Sequence, residues 1–303
     1  MNAKISNLSE IASLRRYTLT DGKGAGLDVI DCDNGKIRFL LNVSCALDIM
    51  QLYHEGQNMS FLSKNAFTSG AVPFESRFEG GMLYTCGLES VGGRDGYETH
   101  GSLHKTPAEI VRSECTEEGI TVEAIIRSSA LFGKNLALHR RIFTAQGSEC
   151  VTVEDVLKNE AYTDENYSLL YHVNLGYPML DAGAEIVADL AKCEPRNEWA
   201  KKNRDTVFTI EEPTPAREET CYFLSLRKPE ISLVNKKLGK KFTLSYSGDT
   251  LPKFVEWKSM ASGDFALGLE PATTELDGRF EYKNLSAGES VVFSLKLCVS
   301  KLV

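Results

Sequence analysis

The chain alternates hydrophobic and polar residues with a period of two over many short stretches. In 291–299, valine, phenylalanine and leucine at the odd positions alternate with valine, serine, lysine and cysteine at the even ones. A second stretch, 242–246, behaves in the same way and is followed by the turn-forming pair Gly248-Asp249. Successive side chains of a strand point to opposite faces, so this alternation predicts half-buried β-strands. Further strand-like runs occupy 36–42, 120–127, 136–143, 151–157 and 221–226.

Tight turns separate these runs, and they decide the fold class. Turn-forming residues stand at 33–35, 118–119, 146–147 and 287–288. Many short strands joined in this way predict an all-β fold, a sandwich or barrel, rather than βαβ units. One short helix is predicted, because Leu8, Ile11 and Leu14 have helical spacing and Asn7 and Glu10 are placed like a capping box. No linker, repeat or low-complexity segment divides the chain, so we predict one domain over residues 1–303.

Composition narrows the function classes. With 303 residues, 42% of them hydrophobic and 25% charged, the chain is long enough for a substantial core. It has 34 basic and 42 acidic residues, a net charge of -8, which favours a neutral small molecule over nucleic acid or an anionic membrane. No apolar run approaches the roughly 20 residues that span a bilayer. The first residues lead into no signal-peptide core, so we expect a cytoplasmic protein.

The eight cysteines are scattered along the chain and form no Cys-x-x-Cys pair. This spacing indicates neither a zinc site nor a disulfide scaffold. We therefore expect most of them to be buried, reduced thiols that pack like small hydrophobic residues.

Four segments combine Gly or Pro with polar residues in strand-like surroundings, which makes them candidates for chemistry. They are 76–88 (SRFEGGMLYTCGL), 99–108 (THGSLHKTPA), 171–178 (YHVNLGYP) and 256–273, which ends in Glu-Pro-Ala-Thr. In the last segment Glu270 stands between an apolar run and Pro271. A carboxylate in that position must be buried or must point into a cleft. General-base catalysis on a sugar hydroxyl would explain its presence there.

In their order along the chain the four segments resemble the galactose mutarotase (aldose 1-epimerase) superfamily, most closely its branch described as a domain of unknown function. The resemblance covers about 48–278 and implies a large antiparallel β-sandwich that interconverts the α and β anomers of a free aldose. It implies Glu270 as general base at the anomeric hydroxyl and His172 as general acid at the ring oxygen. His100 would steady the substrate by a hydrogen bond.

This chemistry also stands on physical grounds. Opening a hemiacetal ring requires that one oxygen lose a proton and another gain one, and a carboxylate with an imidazole does both near neutral pH. Neither a metal nor a cofactor is required. The expected partner is a monosaccharide, and a homodimer is left open.

Each catalytic candidate also has a structural interpretation. Glu270 would otherwise cap a turn or pair with Lys258 or Arg279, but Pro271 ends the strand where a sheet edge meets a cleft, which favours catalysis. His172 fits an ordinary core histidine equally well.

Four further residues are candidates for binding the sugar: Arg77, Asn174, Trp257 and His104. As structural residues, Arg77 would pair with Glu75 or Glu79, Asn174 would satisfy a bend and Trp257 would pack in the core. His104 competes with His100 for the role in the loop, and His100 is preferred because Gly101 permits close approach.

Members of the superfamily also have an aspartate that binds the substrate hydroxyls. No residue of this sequence stands at a matching position, and Glu256 and Asp181 are the candidates for its role. A non-catalytic cytoplasmic carbohydrate-binding or sensing protein is the alternative to the enzyme. A polysaccharide-cleaving enzyme is disfavoured by the presence of only two tryptophans. A phosphosugar epimerase is disfavoured as well, because its cleft would need clustered Arg or Lys.

Overall fold

The computed structural model describes residues 3–302, so residues 1, 2 and 303 of the predicted domain lie outside it. Two antiparallel sheets of five and thirteen strands account for its architecture, and the predicted all-β antiparallel sandwich is confirmed. The strands are β1 (Ser13–Thr18), β2 (Asp28–Asp33), β3 (Ile37–Asn42), β4 (Asp48–His54), β5 (Gln57–Asn58), β6 (Leu83–Leu88), β7 (Glu109–Cys115), β8 (Gly119–Ser129), β9 (Asn135–Ala145), β10 (Cys150–Asn159), β11 (Glu165–Leu175), β12 (Glu185–Pro195), β13 (Thr220–Asn235), β14 (Lys240–Tyr246), β15 (Lys253–Ala261), β16 (Asp264–Ala272), β17 (Lys283–Leu285) and β18 (Ser290–Lys301).

The helices are short. They are α1 (Phe74–Arg77), α2 (Glu198–Lys202) and five 3₁₀ turns, at Leu8–Glu10, Gly22–Gly24, Leu103–Lys105, Arg204–Thr206 and Asp277–Arg279. None of the helices in residues 3–302 is long and apolar enough to cross a membrane.

The small sheet has the order β1-β2-β3-β4-β5, and the large sheet has the order β17-β11-β16-β15-β13-β14-β18-β10-β9-β8-β7. Two strands branch from the large sheet, where β6 pairs with β11 and β12 pairs with β13. Both sheets contribute to one hydrophobic core, for example through Phe39 of β3 and Phe293 of β18. The core therefore lies between the two layers, as in sandwich folds.

The runs predicted from the sequence correspond to seven of the eighteen described strands. In β18 the side chains of Phe293, Leu295, Leu297 and Val299 are buried, and the seven strand-like runs of the sequence all fall in strands. The predicted helix is wrong beyond its first turn, because only Leu8–Glu10 is helical and Leu14 already lies in β1.

Most of the cysteines are free, as predicted, but Cys150 and Cys298 form a disulfide that the sequence did not indicate. The two residues stand opposite each other in the antiparallel register of β10 and β18. They are 148 residues apart in sequence, so no local spacing indicates the bond. The other six cysteines are free, and Cys32, Cys86, Cys193 and Cys221 are buried as expected.

A buried ionic network lies behind β6 and β11. Arg140 of β9 is 1% exposed and donates to Asp155 at 2.7 and 2.9 Å and to Asp48 at 2.7 Å. It also donates to Thr85 Oγ1 of β6 at 2.9 Å, while Tyr171 Oη of β11 donates to Asp155 at 2.7 Å. The network thus fixes the two strands from the core side. Their opposite face carries side chains of the candidate active site.

Candidate active site

Strand register brings the predicted catalytic residues together. The pairs Leu170↔Ala272 and Val173↔Leu269 place His172 of β11 opposite Glu270 of β16. On the other side of β11, Tyr84 of β6 stands opposite His172. Residues that pair directly in an antiparallel ladder share one face, so all three side chains point to the same side of the sheet.

This face forms the floor of a cleft of about 230 Å³. Its polar lining residues are Thr99, His100, His172, Arg196, Glu219 and Glu270, and its aromatic ones are Phe74, Phe78 and Trp257. The volume lies below the roughly 300–1,000 Å³ that is usual for drug-sized ligands, so the cleft suits a small molecule.

The three predicted catalytic residues converge in this cleft. The rings of His100 and His172 have centroids 5.5 Å apart. His172 Nε2 and Glu270 Oε1 are 3.1 Å apart, without the alignment of a hydrogen bond. A small ligand in the cleft therefore meets a carboxyl group and two imidazoles at once.

Local backbone geometry orients His100. Its φ is +66° and that of Gly101 is +75°, and a Cβ on Gly101 would collide with the carbonyl oxygen of Gly87. This requirement for glycine agrees with the preference for His100 over His104. The Gly92 N–H donates to His100 Nδ1 at 3.1 Å, which leaves the ring proton on Nε2. Burial lowers the pKa of His100 to about 4, so the ring is a neutral donor.

Burial also governs the protonation of the central pair. It raises the pKa of Glu270 well above its usual value, with a further contribution from nearby Glu219. It lowers the pKa of His172 well below its usual value. Both shifts favour the neutral forms, so a single proton shared by the pair rests on the carboxyl group rather than on the imidazole.

Trp257 closes one side of the cleft. It stands opposite Gly268 in the β15–β16 ladder, and its ring centroid lies 5.5 Å from that of His172. Its Nε1 donates to Glu219 Oε2 at 2.6 Å, so the indole is partly fixed by a polar contact. Its neighbours Glu256 and Lys258 face the opposite side of the strand, as alternation predicts.

Sequence reasoning missed two charged residues of the cleft, Arg196 and Glu219. Arg196 follows β12 and donates from Nε and Nη2 to Asp277 at 2.6 and 2.8 Å. Glu219 precedes β13, and the pairing of β12 with β13 brings the two ends to the same edge. Both lie in polar connecting segments without a recognisable motif, so the sequence carries no signal that singles them out.

Three predicted binding residues do not line the cleft. Asn174 is fully buried beside His172 and donates to the His172 carbonyl oxygen at 3.0 Å, so it supports the strand. Arg77 and His104 lie in a second cavity behind Tyr84. Arg77 pairs with Glu98 at 3.1 Å, not with Glu75 or Glu79 as the structural alternative supposed.

Neither candidate for the missing aspartate reaches the cleft. Glu256 is buried on the other face of β15, opposite Tyr222. Asp181 lies between β11 and β12 and has Lys237 3.5 Å away. The carboxylate that does line the cleft, apart from Glu270, is Glu219.

The two ion pairs considered as alternatives for Glu270 do not form. Lys258 Nζ donates to the carbonyl oxygens of Thr206 and Thr209, and Arg279 pairs with Glu194 and Glu275. Neither cation therefore neutralises Glu270. Within residues 3–302 no group of three His, Cys, Asp or Glu side chains could hold a metal ion.

Gly268 makes room for this arrangement. A Cβ at this position would lie 2.5 Å from Glu270 Oε1, 2.9 Å from His172 Cε1 and 3.2 Å from Trp257 Cε3. We expect Gly268→Ala to displace these side chains and to lower the free energy of unfolding by about 1–3 kcal/mol, measured by urea denaturation. Gly278→Ala is the matched control, because nothing lies within 4 Å of its Cβ. Equal stability of the two variants would contradict the expectation.

Comparisons with known proteins agree with this fold. The family model described as "Domain of unknown function (DUF4432)" matches residues 24–297. A protein from Klebsiella pneumoniae, provisionally assigned as an aldose 1-epimerase, is 23% identical with a TM-score of 0.85, over 95% of this chain and 83% of that one.

Two further solved structures are galactose mutarotase-like proteins. That of Clostridium acetobutylicum is 12% identical with a TM-score of 0.70, over 97% of this chain and 100% of the other. That of Lactobacillus casei is 14% identical with a TM-score of 0.63, over 90% and 100%. None of the curated proteins matches the chain. At these identities the likeness shows the fold alone, and this fold is the one that the resemblance implied.

Proposed function

The chain belongs to the family described as a domain of unknown function (DUF4432), and on that premise we propose that it is an aldose 1-epimerase-like isomerase. It would interconvert the α and β anomers of a free monosaccharide by acid–base opening and closing of the ring. The observation that carries the proposal is the meeting of His100, His172 and Glu270 in one small cleft.

One proton on the His172–Glu270 pair is enough for this reaction. Hydroxyl groups of a bound sugar donate to Glu270, which stabilises its carboxylate and moves the proton to His172. Glu270 then takes the proton of the anomeric hydroxyl while His172 protonates the ring oxygen. The ring bond to the anomeric carbon breaks, a carbonyl forms, and rotation followed by the reverse transfers closes the other anomer.

The remaining cleft residues have supporting roles in the proposal. His100, a neutral donor through Nε2, binds the region of the ring oxygen. Glu219 accepts hydrogen bonds from sugar hydroxyls and takes the place of the superfamily's aspartate, and Arg196 donates beside it. The indole of Trp257 packs against a face of the sugar.

The test is anomer exchange by NMR across a panel of free aldoses, with the uncatalysed rate subtracted. Faster exchange for at least one sugar supports the isomerase. Shifts on sugar binding without faster exchange would instead identify the carbohydrate-binding alternative. If no sugar shows either effect, both functions are rejected.

The pH dependence follows from the same pair. The pKa of His172 is lowered below 6.5, so a second proton, which would inactivate the pair, is taken up only below that pH. We expect kcat/KM to stay constant around pH 6.5 and to decline only at lower pH. A decline centred on the ordinary histidine pKa of about 6.5 would contradict this assignment.

A further inference from the structure

A second cavity, of about 360 Å³, lies behind the cleft wall. Tyr84 separates the two, with its ring centroid 4.2 Å from that of His104 and 6.1 Å from that of His100. Helix α1 borders both cavities, since Phe74 lines the cleft and Arg77 lines the second cavity. The two cavities thus share walls but contain different polar groups.

Three polar atoms on the walls of the second cavity have no hydrogen-bond partner among the described residues. They are Arg77 Nε, His104 Nδ1 and Thr68 Oγ1. Arg77 is 5% and His104 is 3% exposed, so both side chains are almost wholly withdrawn from bulk water. A buried donor without an acceptor costs about 1–3 kcal/mol, and such groups need an explanation.

Both buried groups are donors. Burial lowers the pKa of His104 to about 2, so its ring is neutral and carries one N–H. Its Nε2 lies 2.5 Å from Tyr84 Oη, and burial raises the pKa of this phenol well above 10.0, so it keeps its proton. His104 is the only hydrogen-bond partner of the phenol among the described residues, so we take the phenol as the donor. The ring proton is then on Nδ1. Arg77 Nε–H is a donor by nature.

The charges around the cavity also suit an acceptor. Arg77 and Lys105 are cations. Glu98 pairs with both of them, but it contacts Arg77 through Nη2, so Arg77 Nε stays without a partner. Burial raises the pKa of Glu79, also on the wall, to about 7, so this carboxyl is partly neutral at physiological pH. The wall itself therefore carries two cations and one carboxyl group, Glu79, that is partly neutral.

We infer that the second cavity is a binding site, separate from the cleft, for a small molecule that carries a carboxylate or phosphate group. Its oxygens accept hydrogen bonds from Arg77 Nε and His104 Nδ1, and the hydroxyl of Thr68 donates to the same group. The inference does not depend on the proposed function of the cleft.

Calorimetric titration of the full chain with inorganic phosphate and, separately, with succinate tests the site and distinguishes the two ligand chemistries. We expect saturable binding of at least one probe. Arg77→Gln should weaken it about tenfold or more, since hydrogen bonds to charged groups contribute about 1.5–3 kcal/mol. His104→Phe, which keeps the ring contact with Tyr84, should weaken it as well.

Two controls make the result specific. Arg15→Gln removes an exposed arginine elsewhere, and Glu270→Gln alters only the cleft, so both should bind like the native protein. The His104 Nδ1–H resonance of the native protein should shift during the titration, which tests the site even where a variant fails to fold. The inference is overturned by no saturable binding of either probe, by a stationary resonance, or by binding that Glu270→Gln abolishes.

Discussion

Glu270→Gln is expected to reduce the catalysed rate of anomer exchange by about 10²–10⁴-fold. Glutamine has nearly the shape of glutamic acid but neither accepts a proton at neutral pH nor passes one to His172. The measurement is the NMR exchange rate at saturating sugar, compared with native protein. Glu212→Gln, a change at an exposed carboxylate, is the control and should keep full activity. An active Glu270→Gln variant would make Glu270 a structural residue.

The same variant should fold, which separates lost chemistry from lost structure. The pKa of Glu270 is raised in the folded protein from 4.5, so the folded state keeps this proton to higher pH than the unfolded state does. The stability that the protonated carboxyl contributes is therefore complete below pH 4.5 and is lost as the pH rises through the folded pKa. Glutamine does not titrate. Urea denaturation should accordingly show the variant gaining stability relative to the native protein as the pH increases.

The sequence indicated His100, His172 and Glu270 chiefly through the resemblance to the mutarotase superfamily, and strand alternation explains why two of them share a face. His172 and Glu270 each lie in a strand, and strand alternation with antiparallel pairing fixes which face their side chains share. His100 lies in a loop, but the adjacent Gly101 marks a place where backbone approaches closely. These signals are local and a single sequence contains them, whereas the pairing of β11 with β16 that brings His172 to Glu270 joins distant segments.

The remainder depends on contacts between distant segments. Arg196 and Glu219 meet only because β12 pairs with β13, and Cys150 meets Cys298 only because β10 pairs with β18. His104 follows His100 by four residues, yet the chain reverses in the left-handed region at His100 and Gly101. The two rings thereby come to lie on opposite sides of Tyr84, which no residue spacing reveals.

Arg140→Met is expected to lower the free energy of unfolding by about 3–5 kcal/mol, because it leaves Asp48 and Asp155 buried without their cation. Urea denaturation at neutral pH measures the loss. Arg140→Lys, which keeps the charge but not the several donors of the guanidinium group, should fall between this variant and the native protein. A loss for Arg140→Met no greater than the about 1 kcal/mol of a surface ion pair would contradict the expectation.

A triple variant, Arg140→Met with Asp48→Asn and Asp155→Asn, separates two origins of that loss. If the cost comes from the two stranded carboxylates, removal of their charges should restore much of the stability, since replacement of an entire buried ion network is often nearly neutral. If the triple variant is as unstable as Arg140→Met, the hydrogen bonds to Thr85 and Tyr171 are what stabilise the fold. Thr85 and Tyr171 adjoin Tyr84 and His172 in β6 and β11. An unstable triple variant should therefore also show slower anomer exchange, whereas a triple variant with restored stability should keep a rate close to the native one.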